Sequence, residues 1–490
     1  MRLKAHVWAV VVLAVLVALV AVPAATTAAD PIAATQGFRK AVTLAGVREH
    51  QATFQGFANA NNGNRLASSP GHDASAQYVY NRMAAAGYTV SFQEFQFQLV
   101  SDVTPPSFAQ TAPNAVAYVD GVDFATMSYS GSGDVTAPVS TPSGDARGCF
   151  AADWAGFPAG NIALVLRGTP DGFPGGACTF RIKAENAVAA GASAVVVYNN
   201  APGLLNGTLA PPRVNYSAIG ITQALGQQLV ALVPGGLTLH VKTDTTAEIR
   251  TTRNVVAETP GGDPNRVIVI GAHLDSVSRG PGINDNGSGS AGILEIAETF
   301  ASQMRETRNK LRFIWFSAEE QGLIGSGYYV SQLSQAQKDQ IELMLNFDMI
   351  GSPNFVRFVY DGNNSAGGGT VGPAGSGAIE QSFLDYFAGV VLPNAPTPFN
   401  GRSDYGPFIN VGIPAGGLFT GAEGIKTAAQ AATYGGTAGQ QYDPCYHLAC
   451  DTFSNNSNTA LDQMSDAVAH VVLTYSKRNF AKEPLVDPAP

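Results

Sequence analysis

Apolar and polar positions along this chain follow two periods. Residues 38–60 carry apolar side chains at helical spacing. A Gly/Asn-rich turn (Asn61, Asn62, Gly63, Asn64) follows, and the pattern then predicts a helix over about 73–86, stopped at Gly87. Residues 88–100 alternate as a strand does, through Val90, Phe92, Phe95 and Phe97. The texture changes over 101–145, which is rich in Thr, Ser, Pro and Gly with short β-type runs. A buried strand is predicted at 161–167, a helix at 182–190 ending near Gly191, and another strand at 194–198; this block closes around 242–249. From Asn254 strands (267–271, 311–316, 344–347) alternate with helices (289–300, 325–332), and an amphipathic helix closes the chain over 459–476. That alternation predicts an α/β fold with a mainly parallel sheet and helices on both faces. There is no internal repeat, and the short Pro-rich tail, 483–490, is expected to be loose.

Composition narrows the class. The 490 residues are 45% hydrophobic and 13% charged, the latter about half the usual share. A disordered chain has the opposite balance. The formal net charge is −9, with no basic block, which argues against nucleic acid as a partner. At the start, Arg2 and Lys4 precede an unbroken apolar run over 7–22, then Pro23 and small residues over 24–29. That order is a secretory signal peptide over 1–29, cut within 24–29. A membrane anchor is the competing reading, since the run nears spanning length. The small-residue site where cleavage needs one favours removal, and no second apolar stretch of spanning length follows. The mature protein is expected to be secreted, with no stable membrane span.

The cysteines agree with export. Cys149, Cys178, Cys445 and Cys450 are an even set, which suggests two disulfides. Three connectivities are possible, and proximity favours Cys149–Cys178 and Cys445–Cys450. A four-cysteine zinc site lacks the close CxxC-like pairs it needs.

The residues that carry chemistry stand at strand ends. One strand ends in His273, with Asp275 two residues later; the next ends in Glu319 and Glu320; a third ends in Asp348. In open α/β sheets ligands bind beyond the carboxyl ends of the strands. A Gly-rich loop, 280–292, brings Asp285 toward the same edge, and His447 sits in a loop flanked by Cys445 and Cys450. Carboxylates gathered in this way need a cation to neutralise them. The Gly-rich loop has neither the GxxxxGK[ST] nor the GxGxxG register of a phosphate cradle. The other histidines of the mature chain, His50, His72, His240 and His470, lie in segments with no other ligand and read as surface or core residues.

GAHLDSVSRGPGINDNGSGSAGILE, FSAEEQGLIGS, LNFDMIGSP, GRSDYGPF and CYHLACDT resemble the dinuclear-zinc aminopeptidases of the bacterial leucine aminopeptidase and aminopeptidase Y kind. The resemblance covers about 45–98 and 254–478. The block between resembles a protease-associated domain, through NIALVLRG, the Cys178–Thr179–Phe180 region and GASAVVVYNN. It implies a peptidase domain built from 30–100 and 250–482, with a β-rich insert at 101–249. It also implies two zinc ions. His273, Asp285 and Asp348 would serve one ion, Glu320 and His447 would complete the second, and Asp285 would bridge them. Glu319 would be the general base, Tyr446 the hydrogen-bond donor to the tetrahedral intermediate, and Asp275 the residue orienting His273. Arg402 would recognise the substrate end, with Met349 and Phe419 lining the pocket for the first side chain. Some relatives hold calcium with carboxylates matching Asp462 and Asp466, but the N-terminal segment that should complete that site reads Lys40–Ala41–Val42, so calcium is not expected. The implied activity is release of N-terminal residues, apolar ones such as leucine, from peptides or proteins by a monomer. The rivals are a carboxypeptidase, a single-zinc glutaminyl cyclase, and a catalytically inactive binding ectodomain.

Overall fold

The computed structural model describes residues 31–174, 177–303 and 306–488; the expected signal peptide lies outside the described residues. The larger sheet has eight strands: Thr89–Asp102 (β1), Thr245–Glu258 (β2), Asp263–His273 (β3), Asn309–Phe316 (β4), Ile341–Phe347 (β5), Phe358–Tyr360 (β6), Ala395–Thr397 (β7) and Ala415–Phe419 (β8). Their order is β1-β2-β4-β3-β5-β8-β6-β7. β4, β3, β5 and β8 form a parallel centre, flanked by antiparallel pairings of β1 with β2, β2 with β4, and β6 with β8. The antiparallel flanks are not visible in the strand–helix alternation, because β1 and β2 stand on either side of the insert.

Alternation along β3 divides its side chains between two cores. Ile268, Ile270 and Ala272 share a core with residues of six helices: Pro31–Ala41 (α1), Leu44–Ala60 (α2), Pro70–Ala85 (α3), Gly287–Gln303 (α4), Asn458–Lys477 (α5) and the helix Ser376–Gly389. Val267 and Val269 pack the other way, with Tyr329, Tyr405 and Phe408. With both faces covered, the central strands are buried on both sides, which is why they read as continuous apolar runs.

The single helical pattern over 38–60 is two helices. Thr43 interrupts it, its hydroxyl accepting the Gly46 N–H (3.0 Å) as the N-cap of α2. α3 begins earlier than periodicity implied, because Ser69 caps it and Pro70 fits its first turn. Gly87 takes the left-handed conformation (φ 89°) that ends it.

A second eight-stranded sheet lies between β1 and β2 in sequence. Its parallel strands Ile162–Leu166, Ala194–Tyr198 and Ala218–Ile221 alternate with helices Phe180–Ala189 and Gln223–Leu232. It hangs on a ribbon in which β1 and β2 pair from Thr89↔Glu258 to Asp102↔Thr245. Cys149 and Cys178 are bonded within it, and Cys445 is bonded to Cys450 in the peptidase body.

Two expectations meet specific structural detail at the chain ends. The tail, expected to be loose, is tied down as far as it is described. Asp487 accepts the N–H groups of Gly375 and Ala378 (2.9 Å each), capping the helix Ser376–Gly389. On the closing helix, Asp466 lies 3.6 Å from the Arg39 guanidinium, so the protein supplies a cation beside that carboxylate.

Candidate metal centre

The centre forms where the parallel strands end. β3 terminates in His273, β4 runs through Ser317 and Ala318 into Glu319 and Glu320, and Asp348 follows the last residue of β5. Asp285 precedes α4, and the Cys445–Cys450 loop carries Tyr446 and His447. Ala318, Met349 and His447 all have positive φ (58°, 51° and 60°). Non-glycine residues held there cost of order 1 kcal/mol or more each, a strain that clusters at functional sites.

The distances define two groups that share Asp285. His273 Nε2 lies 3.2 Å from Asp285 Oδ1, 3.4 Å from Asp348 Oδ1 and 4.0 Å from Glu319 Oε2. His447 Nε2 lies 3.2 Å from Asp285 Oδ2 and 3.0 Å from Glu320 Oε2. Asp285 therefore turns one oxygen to each histidine, and the adjacent glutamates face different histidines. His273 Nδ1 sits 3.2 Å from the Asp275 carbonyl oxygen, which can only accept. Nδ1 thus carries a proton, and Nε2 is the nitrogen that faces the cluster.

These side chains call for a cation. Glu320 Oε1 and Asp348 Oδ1 are buried without a hydrogen-bond partner. Burial pushes Glu319 well above the usual carboxylate range, against the pull of His273 and helped by Asp404 and Asp348; it pushes Glu320 up as well. Burial alone would depress both histidines, but the carboxylates around them outweigh it and hold both well above the ordinary value. Without metal the cluster balances its charge by taking up protons, which a divalent ion displaces. Imidazole nitrogen with carboxylate oxygen is a zinc donor set.

Supporting contacts fix the donors. The Asp275 carboxylate accepts the backbone N–H groups of Glu319 (3.2 Å) and Glu320 (3.4 Å), so it holds the acidic turn. Its carboxylate is 3.7 Å from His273 Nδ1, and the orienting contact to that ring is made by its backbone carbonyl instead. Asp451 accepts the N–H groups of Asn284 (2.8 Å) and Asp285 (3.0 Å), and Ser403 donates to Asp348 Oδ2 (2.6 Å). Arg65 is fully buried and donates to the carbonyls of Leu274, Pro281 (2.9 Å) and Gly282 (2.5 Å), clamping the loop between His273 and Asp285. Sequence reasoning named none of these three. Asp451 and Ser403 stood inside quoted motifs, whereas Arg65 gave no signal at all. Arg65→Met leaves the carbonyls of Leu274 and Pro281 without this donor, at about 1–3 kcal/mol each, and Gly282 with only the Gly287 N–H, at about 1 kcal/mol for the lost bond. We expect a loss of at least 3 kcal/mol in denaturant unfolding; a loss under 1 kcal/mol would show that the clamp is dispensable.

Two cavities open on these residues. A pocket of about 90 Å³ is walled by Met349, Tyr360 and Phe419 and reaches Glu319, Glu320 and Asp348. Arg402 lines it too, with Nη1 3.1 Å from Glu423 Oε1. A larger cavity of about 610 Å³ lies between the insert (Met127, Leu204, Thr208) and the body (Glu319, Glu320, His447). The Asp120–Arg279 ion pair (2.8 Å) joins the two parts at its rim. The Tyr446 ring stacks on His447 with centroids 3.8 Å apart.

The small disulfide loop thus fixes His447 and its stacking partner Tyr446 together. A ring this short gains little from chain entropy. The double substitution Cys445→Ser/Cys450→Ser is expected to lower turnover at least ten-fold while shifting the thermal midpoint by only a few degrees. A large stability loss with unchanged turnover per folded molecule would contradict this.

Comparison with known proteins agrees with this architecture. Peptidase family M28 matches residues 254–472, and the PA domain matches 133–229. The chain is 45% identical over 449 residues to an aminopeptidase of Pseudomonas aeruginosa, covering 89% of this chain and 81% of the relative. It is 40% identical over 440 residues to leucine aminopeptidase 2 of Trichophyton rubrum, covering 89% and 83%. Among solved structures it resembles the aminopeptidase of Aneurinibacillus sp. strain AM-1, at 27% identity and a TM-score of 0.69 over 93% of this chain and 98% of that one. It also resembles a zinc aminopeptidase from Bacillus subtilis, at 25% identity and a TM-score of 0.60 over 90% and 98%.

Proposed function

From the premise that this chain belongs to peptidase family M28 and is a zinc aminopeptidase, we propose that it uses two zinc ions to release apolar, leucine-like residues from peptide N-termini. His273, Asp348 and Asp285 would hold one ion, and Glu320, His447 and Asp285 would hold the second. The observation that carries this reading is Asp285, with one oxygen 3.2 Å from each histidine.

Zinc, when bound, acidifies a water and polarises the scissile carbonyl. Glu319 takes the proton of that water and returns it to the departing amine. Its burial raises its affinity for protons, which suits a group that must hold one between two steps. Tyr446 donates a hydrogen bond to the oxygen of the tetrahedral intermediate. Asp348 and Glu319 offer acceptors to the substrate α-amine. Met349 and Phe419 flank the first side chain in the 90 Å³ pocket, and Arg402, braced by Glu423, borders the approach. The peptidase domain comprises 30–100 and 250–482, with 101–249 inserted. The two disulfides and the N-terminal sequence support export, and no helix among the described residues is long and apolar enough to cross a membrane.

A test separates the peptide ends. Leucine 4-nitroanilide should be cleaved and its N-acetylated form should not, and purified enzyme should carry close to two zinc ions. Equal rates on both substrates, or release of C-terminal residues from an N-blocked peptide, would replace the aminopeptidase reading with the carboxypeptidase one. One tightly bound zinc with full activity would favour the cyclase.

A further inference from the structure

Away from the metal centre, three polar side chains converge between α2 and α4. His50 of α2 is 1% exposed, and its Nε2 makes no hydrogen bond. It nevertheless lies 3.8 Å from Glu295 Oε2 and 3.7 Å from Glu298 Oε2, which stand one turn apart on α4. These separations are too long for hydrogen bonds. Donors that share one ion at bonds of about 2.0–2.2 Å stand about 3.3–4 Å apart. The histidine–carboxylate pairs of the metal centre, at 3.0–3.4 Å, are only slightly closer.

The surroundings hold each donor in place. His50 Nδ1 is 2.8 Å from Tyr78 Oη, whose oxygen also receives Arg82 Nη1 (3.3 Å). When Nδ1 donates to that oxygen, as in metal-ligating histidines fixed by an outer partner, the Nε2 lone pair faces the two carboxylates. Arg82 balances the charge of Glu298, which leaves Glu295 and the ring nitrogen facing each other with no cation between them. Glu295 Oε1 accepts the N–H and hydroxyl of Thr43 (3.0 and 3.1 Å), with Oε2 toward the ring. Glu298 is gripped by Arg82 (2.5 and 2.6 Å). Gly46 completes the cradle: a Cβ there would fall 2.2 Å from the Glu295 carboxyl carbon. Glycine inside a helix costs about 1 kcal/mol relative to alanine, and here it keeps open the space the carboxylate occupies.

We propose that His50, Glu295 and Glu298 form a further metal site, for a divalent ion of the zinc class, which staples α2 to α4. One imidazole with two carboxylates favours such an ion over calcium or magnesium, which take oxygen ligands. None of the three residues lines either cavity at the metal centre, so the ion is structural, and water fills its remaining coordination.

The test uses full-length processed enzyme and zinc alone. After chelation and dialysis to saturation with zinc, wild type should bind one ion more per chain than His50→Gln and than Glu295→Gln. All three should turn over leucine 4-nitroanilide within two-fold of one another. Because the readout is a difference, it does not depend on how many ions the catalytic centre holds. Wild-type crystals grown with zinc should show a zinc-edge anomalous peak within bonding distance of His50 Nε2, a measurement that survives if a variant fails to fold. Equal zinc counts in wild type and folded variants, or no such peak, overturns the proposal.

Discussion

Replacing Glu319 with glutamine is expected to lower turnover by about 10²–10⁴-fold while zinc content stays at the wild-type level. The substitution keeps shape and burial but removes the proton acceptor, a barrier increase of about 3–5 kcal/mol. Glu319 Oε2 stands 4.0 Å from His273 Nε2, the longest of that histidine's carboxylate contacts at its outer nitrogen. Its neighbour Glu320 is 3.0 Å from His447 and has an orphaned buried oxygen, so Glu320→Gln should cost zinc occupancy first and activity as a result. Elemental analysis beside steady-state rates separates the two. The reverse pattern would exchange the roles of the adjacent pair.

Asp285→Ala should have the larger effect on metal. Both histidines lose the carboxylate they share, so zinc content is expected to fall by more than half after dialysis, and activity with it. Asp451→Asn is the graded control. Asp451 holds the backbone N–H groups of Asn284 and Asp285 without facing either histidine. Losses of about 10–100-fold in zinc affinity are typical of such outer partners, and high zinc should restore its turnover. An Asp285→Ala protein that retains both ions would remove the bridge from the scheme.

The convergence of these side chains was legible in the sequence because most of them follow apolar strands. His273, the Glu319–Glu320 pair and Asp348 each occupy a position where a buried run stops, and parallel strands deliver such positions to one edge. The supporting residues were not legible in the same way. Arg65 acts through backbone carbonyls that carry no side-chain signature. His50 looked like a lone histidine with no ligand nearby, because Glu295 and Glu298 reach it from a helix far along the chain. The period-three-to-four pattern of α1 and α2 hid their boundary, since apolar spacing continues across Thr43 and only its capping geometry separates them. The antiparallel flank of the sheet was equally hidden: β2 is mostly polar and exposed over 246–251, and its partner β1 is remote in sequence.

The β1–β2 ribbon sets an order of events during synthesis. The helices α1–α3 and strand β1 leave the ribosome before the insert does, yet β1 has no partner until β2 emerges behind it. The second sheet pairs only strands that lie between them, so it can close while the N-terminal segment waits. Its closure brings Asp102 opposite Thr245, and a long loop closure becomes a short one. The ribbon can then zip outward to Thr89 and Glu258, giving β4 and the rest of the parallel centre an edge to build on. Until that moment the nascent chain carries an unpaired strand and three helices without their core, the kind of surface that aggregates or engages chaperones. The insert thereby acts as a timer on the assembly of the peptidase, and the speed with which it folds sets how long that surface stays exposed.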